Sequence, residues 1–146
     1  MTEVRPARDQ AEVDAALALR RDVFCGEQGV SLDDELDGRD AEALHLVVVD
    51  EGRVVGTCRL LLDQGTAKLG RMAVAPSHRG RGLAGALLAE ADVQAGRRAA
   101  TRIALAAQLT ARALYERAGY VPYGDVFLDA GIDHVMMDKA LEYPAR

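Results

Sequence analysis

The run RMAVAPSHRGRGLAGALLAEA, Arg71 to Ala91, holds three kinds of local structure in succession. It continues an apolar segment, Ala67 to Val74, that reads as a strand. It closes on Ala84, Leu87, Leu88 and Ala91, whose i, i+3, i+4, i+7 spacing marks the buried stripe of a helix, with Leu83 beside them. Between the two lies a turn built on Gly80 and Gly82. The first N–H groups of a helix have no partner within it, and the helix dipole adds partial positive charge there. The two glycines remove side chains that would keep an anion from those N–H groups, and Arg79 and Arg81 add charge. The natural ligand of such a turn is a phosphate or pyrophosphate.

Spacing narrows the choice of phosphate. A P-loop needs Gly-Lys-Ser/Thr after its second glycine, and that is missing. Gly80-x-Gly82-x-x-Gly85 does satisfy the dinucleotide letters. However, Ala75 to Arg79 separate the strand from the first glycine, where a dinucleotide fold turns at once, and no acid about 20 residues on stands ready for a ribose. The next strand, Ile103 to Ala107, ends in Gln108.

A third pattern fits better. Arg79, Gly82 and Ala84 fill Arg-x-x-Gly-x-Ala, which resembles the acetyl-CoA pyrophosphate loop of the GNAT (GCN5-related) N-acetyltransferases. After the next strand, Gln108-Leu-Thr-Ala111-Arg-Ala-Leu114-Tyr115-Glu-Arg-Ala-Gly119-Tyr120 is similar to that family's second signature, with Gln108 where Asn is usual. Three further groups of residues resemble the ElaA-like branch and extend the likeness over nearly the whole chain. They are Arg20-x-x-Val23-Phe24-x-x-Glu27-Gln28-Gly29-Val30, His45-Leu46 with Gly70-Arg71-Met-Ala73-Val74, and Gly131-Ile132-x-His134-x-x-Met137. In that branch Gln108 is the expected residue.

Bulk properties agree with one N-acetyltransferase (GNAT) domain over residues 1–146. The length suits one domain with a sizeable core. Apolar residues make up 49% and charged residues 28%, ordinary for a globular chain. The net charge of −5 argues against nucleic acid as a partner. No apolar run approaches the ~20 residues of a membrane span, and MTEVRPARDQ has no signal-peptide core. Cys25 and Cys58 lack metal or redox spacing, so a cytoplasmic setting without a metal is expected.

In chain order, residues 2–6 read as a first strand, and Asp9 with Glu12 reads as a capping-box start to a helix reaching about Cys25. The acidic run Asp33 to Glu42 suggests a calcium loop, but its twelfth position would be Leu44 where a bidentate Glu is needed. Residues 43–75 read as a three-stranded meander. The helix from about Gly80 to Gly96 then connects two strands that should be parallel, through a right-handed crossover. A short helix at 109–118 and a hairpin of 121–128 with 133–141 complete the chain. This order predicts an α/β (α+β) fold: one mixed, twisted sheet of six to seven strands with helices on both faces. Its central parallel pair splays, and in the GNAT fold that splay receives pantetheine.

The resemblance implies direct transfer of an acetyl group from acetyl-CoA, as cosubstrate, to an amine of a small molecule or peptide. It leaves a homodimer open. Cofactor binding falls to Met72, Ala73, Val74, Arg79, Gly80, Arg81, Gly82, Leu83, Ala84 and Gln108, with a backbone N–H, Val74 by preference, polarising the thioester carbonyl. Tyr115 is the candidate acid for the leaving thiolate, since a phenol of pKa about 10 stays protonated at neutral pH. The strand at 66–75 carries no carboxylate, so the base is sought among Glu27, Glu35, Asp37, His45 and His134. The acidic run would draw in a cationic amine if it borders the slot. Arg71 either pairs with that run or binds an anionic group of the substrate. An acyl-CoA-binding module without turnover remains the alternative.

Overall fold

A computed structural model describes residues 1–141; residues 142–146 of the expected domain lie outside the described residues. Strand β1 (Thr2–Pro6) leads to helix α1 (Gln10–Arg20). Asp9 caps this helix by accepting the Glu12 N–H at 2.9 Å. Glu12 reaches back to the N–H of Arg8 at 2.7 Å, one residue earlier than in the usual capping box. The helix then widens into π-helical turns over Arg21–Glu27. Gln28 bonds back five residues to the Val23 carbonyl, at 3.1 Å. One short turn, α2 (Leu32–Glu35), stands inside the acidic run, capped by Ser31 through the Asp34 N–H.

Strands β2 (Leu44–Asp50), β3 (Arg53–Asp63) and β4 (Thr66–Val74) form the expected meander. Its turns, Glu51-Gly52 and Gln64-Gly65, have both residues at positive φ, the twist that two-residue hairpins favour. Helix α3 (Leu83–Arg97) crosses to β5 (Arg102–Gln108). Helix α4 (Arg112–Arg117), β6 (Val121–Asp129) and β7 (Ile132–Ala140) follow. The seven strands lie in the order β1-β2-β3-β4-β5-β7-β6, so β7 sits inside and β6 forms the edge.

Helices cover both faces, as expected. Leu83, Leu87, Leu88, Ala91 and Ala95 of α3 pack with Leu46, Leu60, Leu69, Ile103 and Leu105 of the sheet. On the opposite face, Ala16 of α1 packs on Val47 and Val49, and Leu19 and Val23 pack on Ala73.

The parallel pair is short. β4 and β5 pair only at Thr66–Arg102, Ala67–Ile103 and Lys68–Ala104. Beyond that point β4 runs to Val74 and β5 to Gln108 with no strand between them. The cause lies in β4. An extra residue enters its pairing with β3 between Thr57–Ala73 and Arg59–Gly70. Arg71, in that interval, adopts φ 55. Such a bulge bends its strand, and here it opens the expected splay.

Candidate functional site

The splay leads into a cavity of about 510 Å³ on the sheet face opposite α3. Its lining includes Met72 from β4, Ala106 and Gln108 from β5, Tyr115 from α4 and His134 from β7. Phe24 and Gln28, from the widened end of α1 and the residue after it, also reach it. Of the expected site residues, Met72, Gln108, Tyr115, His134 and Glu35 therefore share one cavity, with Glu35 held there by Arg20; Asp37 does not line it. Ala73, Val74, the 79–84 turn, Glu27 and His45 are not in its lining.

The glycine turn has the geometry an anion needs. Gly80 and Gly82 both sit at φ 77, and a Cβ at either would meet nothing within 4 Å. Gly82 caps α3 without any side-chain hydrogen bond, so the first amides of the helix lack a cap. The Leu83 side chain is buried in the core and Ala84 is half-buried. Arg81 is exposed. Arg79 donates through Nε to the Val74 carbonyl at 3.0 Å and grips Glu27 through both terminal nitrogens, at 2.9 and 2.8 Å. That pairing holds the Glu27 carboxyl below its usual range.

The two lips of the slot are thereby bridged by consecutive residues. Glu27 holds Arg79 just beyond β4, and Gln28 accepts a hydrogen bond from Gln108 of β5 at 2.9 Å.

The histidines separate clearly. His134 has Nδ1 2.7 Å from the Ile132 carbonyl. A carbonyl only accepts, so Nδ1 carries the proton and the neutral ring keeps its lone pair on Nε2. Phe127 stacks on the ring with centroids 5.8 Å apart. In His45 the roles are reversed: Nε2 lies 2.9 Å from the Asp40 carbonyl, and Nδ1 is buried without a partner among the described residues. His78, between β4 and the turn, is occupied by Asp50 and Ser77. Tyr115 is buried, and burial pushes its phenol up to about 12. No described residue hydrogen-bonds its hydroxyl. Tyr120 meets its ring edge-on at 6.0 Å.

Sequence comparison decides what such a slot belongs to. A family profile described as an acetyltransferase (GNAT) domain matches residues 12–141. The chain belongs to the GNAT acetyltransferase family. Among GNAT relatives, the uncharacterised N-acetyltransferase YjcF of Bacillus subtilis is 34% identical over 134 residues, 91% of this chain and 96% of that protein. The crystal structure of an acyl-CoA N-acyltransferase from Pseudomonas aeruginosa superposes with a TM-score of 0.81 at 30% identity, covering 96% of this chain and 99% of that one. Escherichia coli ElaA superposes at 0.82 over 95% and 98% of the two chains; at 22% identity this is a likeness of fold.

In this GNAT chain the acidic run is only partly a solvated loop: Asp33 and Asp34 are exposed, while Glu35, Asp37 and Asp40 are paired. Arg20 and Arg59, which sequence reading did not connect with the run, and Arg71, for which pairing with it was one of two expectations, hold Glu35, Asp37 and Asp40. Arg20 of α1, only 1% exposed, holds Glu35 at 2.6 Å and Asp40 at 2.7 Å. Arg59 of β3 binds Asp37 and Asp40. Arg71 of β4 donates to the Glu35 carbonyl at 2.9 Å. The Arg59 hydrogen bond holds the Asp37 carboxyl well below its normal range. Burial pushes Asp40 up, but hydrogen bonds from Arg20 and Arg59 outweigh it and keep it low. The one signal in sequence was an arginine on an otherwise apolar face in each of three elements.

Among the described residues no helix is long and apolar enough to cross a membrane.

Proposed function

We propose that this GNAT protein transfers the acetyl group of acetyl-CoA directly to the amine of a small molecule or peptide. The carrying observation is the parting of β4 from β5, with a phenol and an imidazole Nε2 on the walls of the cavity that have no partner among the described residues. Bound acetyl-CoA supplies an acyl group activated as a thioester. The amides at the start of α3, with Arg79 and Arg81, hold its diphosphate. The backbone of Met72, Ala73 and Val74 pairs with pantetheine as an added strand would, and Gln108 offers its amide from the other lip. A backbone N–H in this stretch polarises the carbonyl; Met72 is the one of the three that borders the cavity.

His134 takes the amine proton at Nε2. Glu27, committed to Arg79, and His45, away from the lining, are weaker candidates for that role. Tyr115 faces the leaving sulfur. Its phenol stands near 12 against about 8.5 for an ordinary thiol, so full proton transfer is uphill by roughly 5 kcal/mol. It therefore acts as a hydrogen-bond donor to the developing thiolate, and the proton collected at His134 balances the sulfur's charge.

The test is release of CoA thiol with a panel of amines, for the wild type and Tyr115→Phe. The variant should lose about 100-fold in kcat with acetyl-CoA affinity nearly unchanged. Equal loss of both would assign Tyr115 to packing. Tight acetyl-CoA binding with no turnover on any amine would favour an acyl-CoA-binding module.

A further inference from the structure

We propose that the acceptor amine carries an anionic group, a carboxylate or phosphate, received by Arg59, Lys68 and Arg71 on the floor of the cavity. The inference rests on the acetyl-transfer reading and adds the chemical class of the acceptor.

Four cationic side chains line the cavity: Arg59 from β3, Lys68 and Arg71 from β4, and Arg102 from β5. Two carboxylates join them, Glu35 and Asp129. Glu35 is 3% exposed and committed to Arg20 at 2.6 Å. Arg102 is committed to Asp138 at 2.7 Å and to the Tyr123 hydroxyl at 2.9 Å. Lys68 meets Asp63 at 3.3 Å with both side chains about half exposed, an arrangement worth little in water.

What remains is unused donor capacity. Arg59 is 5% exposed and spends Nη1 and Nη2 on Asp37 and Asp40; its Nε alone is buried with no partner among the described residues. Buried donors rarely stay empty, because each unmade bond leaves a desolvation penalty. Arg71 spends Nε and Nη2 on the carbonyls of Glu35 and Asp34. Its Nη1 has no partner among the described residues. The nearest carboxylates, of Glu35 and Asp37, stand 3.5 Å away. Both of those carboxylates are held more closely by Arg20 and Arg59, and burial, then the neighbouring charge of Arg59, lower the Arg71 pKa. A guanidinium fork in that position matches an oxyanion of carboxylate or phosphate type. The arginines thus also occupy Glu35, Asp37 and Asp40, which would otherwise draw in a cationic amine. With His134 of β7 and Asp129 of β6 on the other side of the same cavity, the floor suits a molecule that is an amine at one end and an anion at the other.

The experiment uses matched amines: an amino acid against its decarboxylated amine, and an aminoalkyl phosphate against the amino alcohol. With CoA present, calorimetry should show the anionic member of at least one pair binding about tenfold or more tightly; which pair responds separates carboxylate from phosphate. Arg71→Gln should abolish the difference, and Lys68→Gln, which leaves the buried ion cluster intact, should reduce it, both without changing acetyl-CoA affinity. In turnover the preference should appear in KM. Equal binding of both members of each pair, or a preference that survives both substitutions, overturns the proposal. A retained binding preference without any acetyl transfer would instead overturn the acetyl-transfer reading.

Discussion

Glu27 and Arg79 show how one ion pair can bear on a site without being part of its chemistry. The pair is exposed, so it adds little to stability. Its carboxylate, however, stands beside the turn proposed to receive a diphosphate. Glu27→Gln should tighten CoA binding by about two- to fivefold in calorimetry, since a competing anion is removed from Arg79. A large fall in kcat at unchanged affinity would instead make Glu27 the base. Sequence could not rank Glu27, His45 and His134, because the ranking depends on strand register. His134 lies opposite Gln108 across β5 and β7, whereas His45 lies opposite Arg59 beneath the acidic run. Tyr115 and the glycine turn were legible because their spacing is local.

At the scale of elements, the clamp on residues 31–42 is the feature least visible in advance. Acidic letters in a row carry no information about which arginines approach them. Arg20 sits at a helix position where periodicity favours apolar side chains, and its charge becomes meaningful only once α2 folds over it. Removing one partner of a buried ion pair leaves the others uncompensated. Arg20→Met should therefore destabilise the fold by about 3–5 kcal/mol, read as a lower urea midpoint. A loss under about 1 kcal/mol would show that the cluster is solvated. The meander was legible from its short apolar runs and Gly-containing turns. The opening between β4 and β5 came from the family likeness, since the bulge at Arg71 has no local signature.

For the whole molecule, charge and burial set two pH limits. Glu12 is held down to about 2, chiefly by its hydrogen bonds from Arg5, and Asp37 and Asp40 are also held low. Carboxylates depressed by folding add stability above their unfolded pKa of about 4, and that stability is lost as pH falls through the folded values. At the other end, burial raises Cys58 from 9.0 to about 12 and Tyr115 from 10.0 to about 12. Groups raised by folding stabilise below their unfolded pKa and lose that effect as pH rises through the folded one. The melting temperature should be level between about pH 5 and 8, then fall on both sides. A curve unchanged down to pH 2.5 would contradict the ion-pair account.

The most direct measurement of the central claim is a ¹H–¹⁵N NMR titration with CoA and, separately, with pantetheine. The amides of Gly80 to Gly85 should shift most with CoA and little with pantetheine, which lacks the diphosphate, while those of Met72 to Val74 respond to both. If CoA leaves the amides at the start of α3 unmoved, or shifts them no more than pantetheine does, the diphosphate is held elsewhere and the account fails.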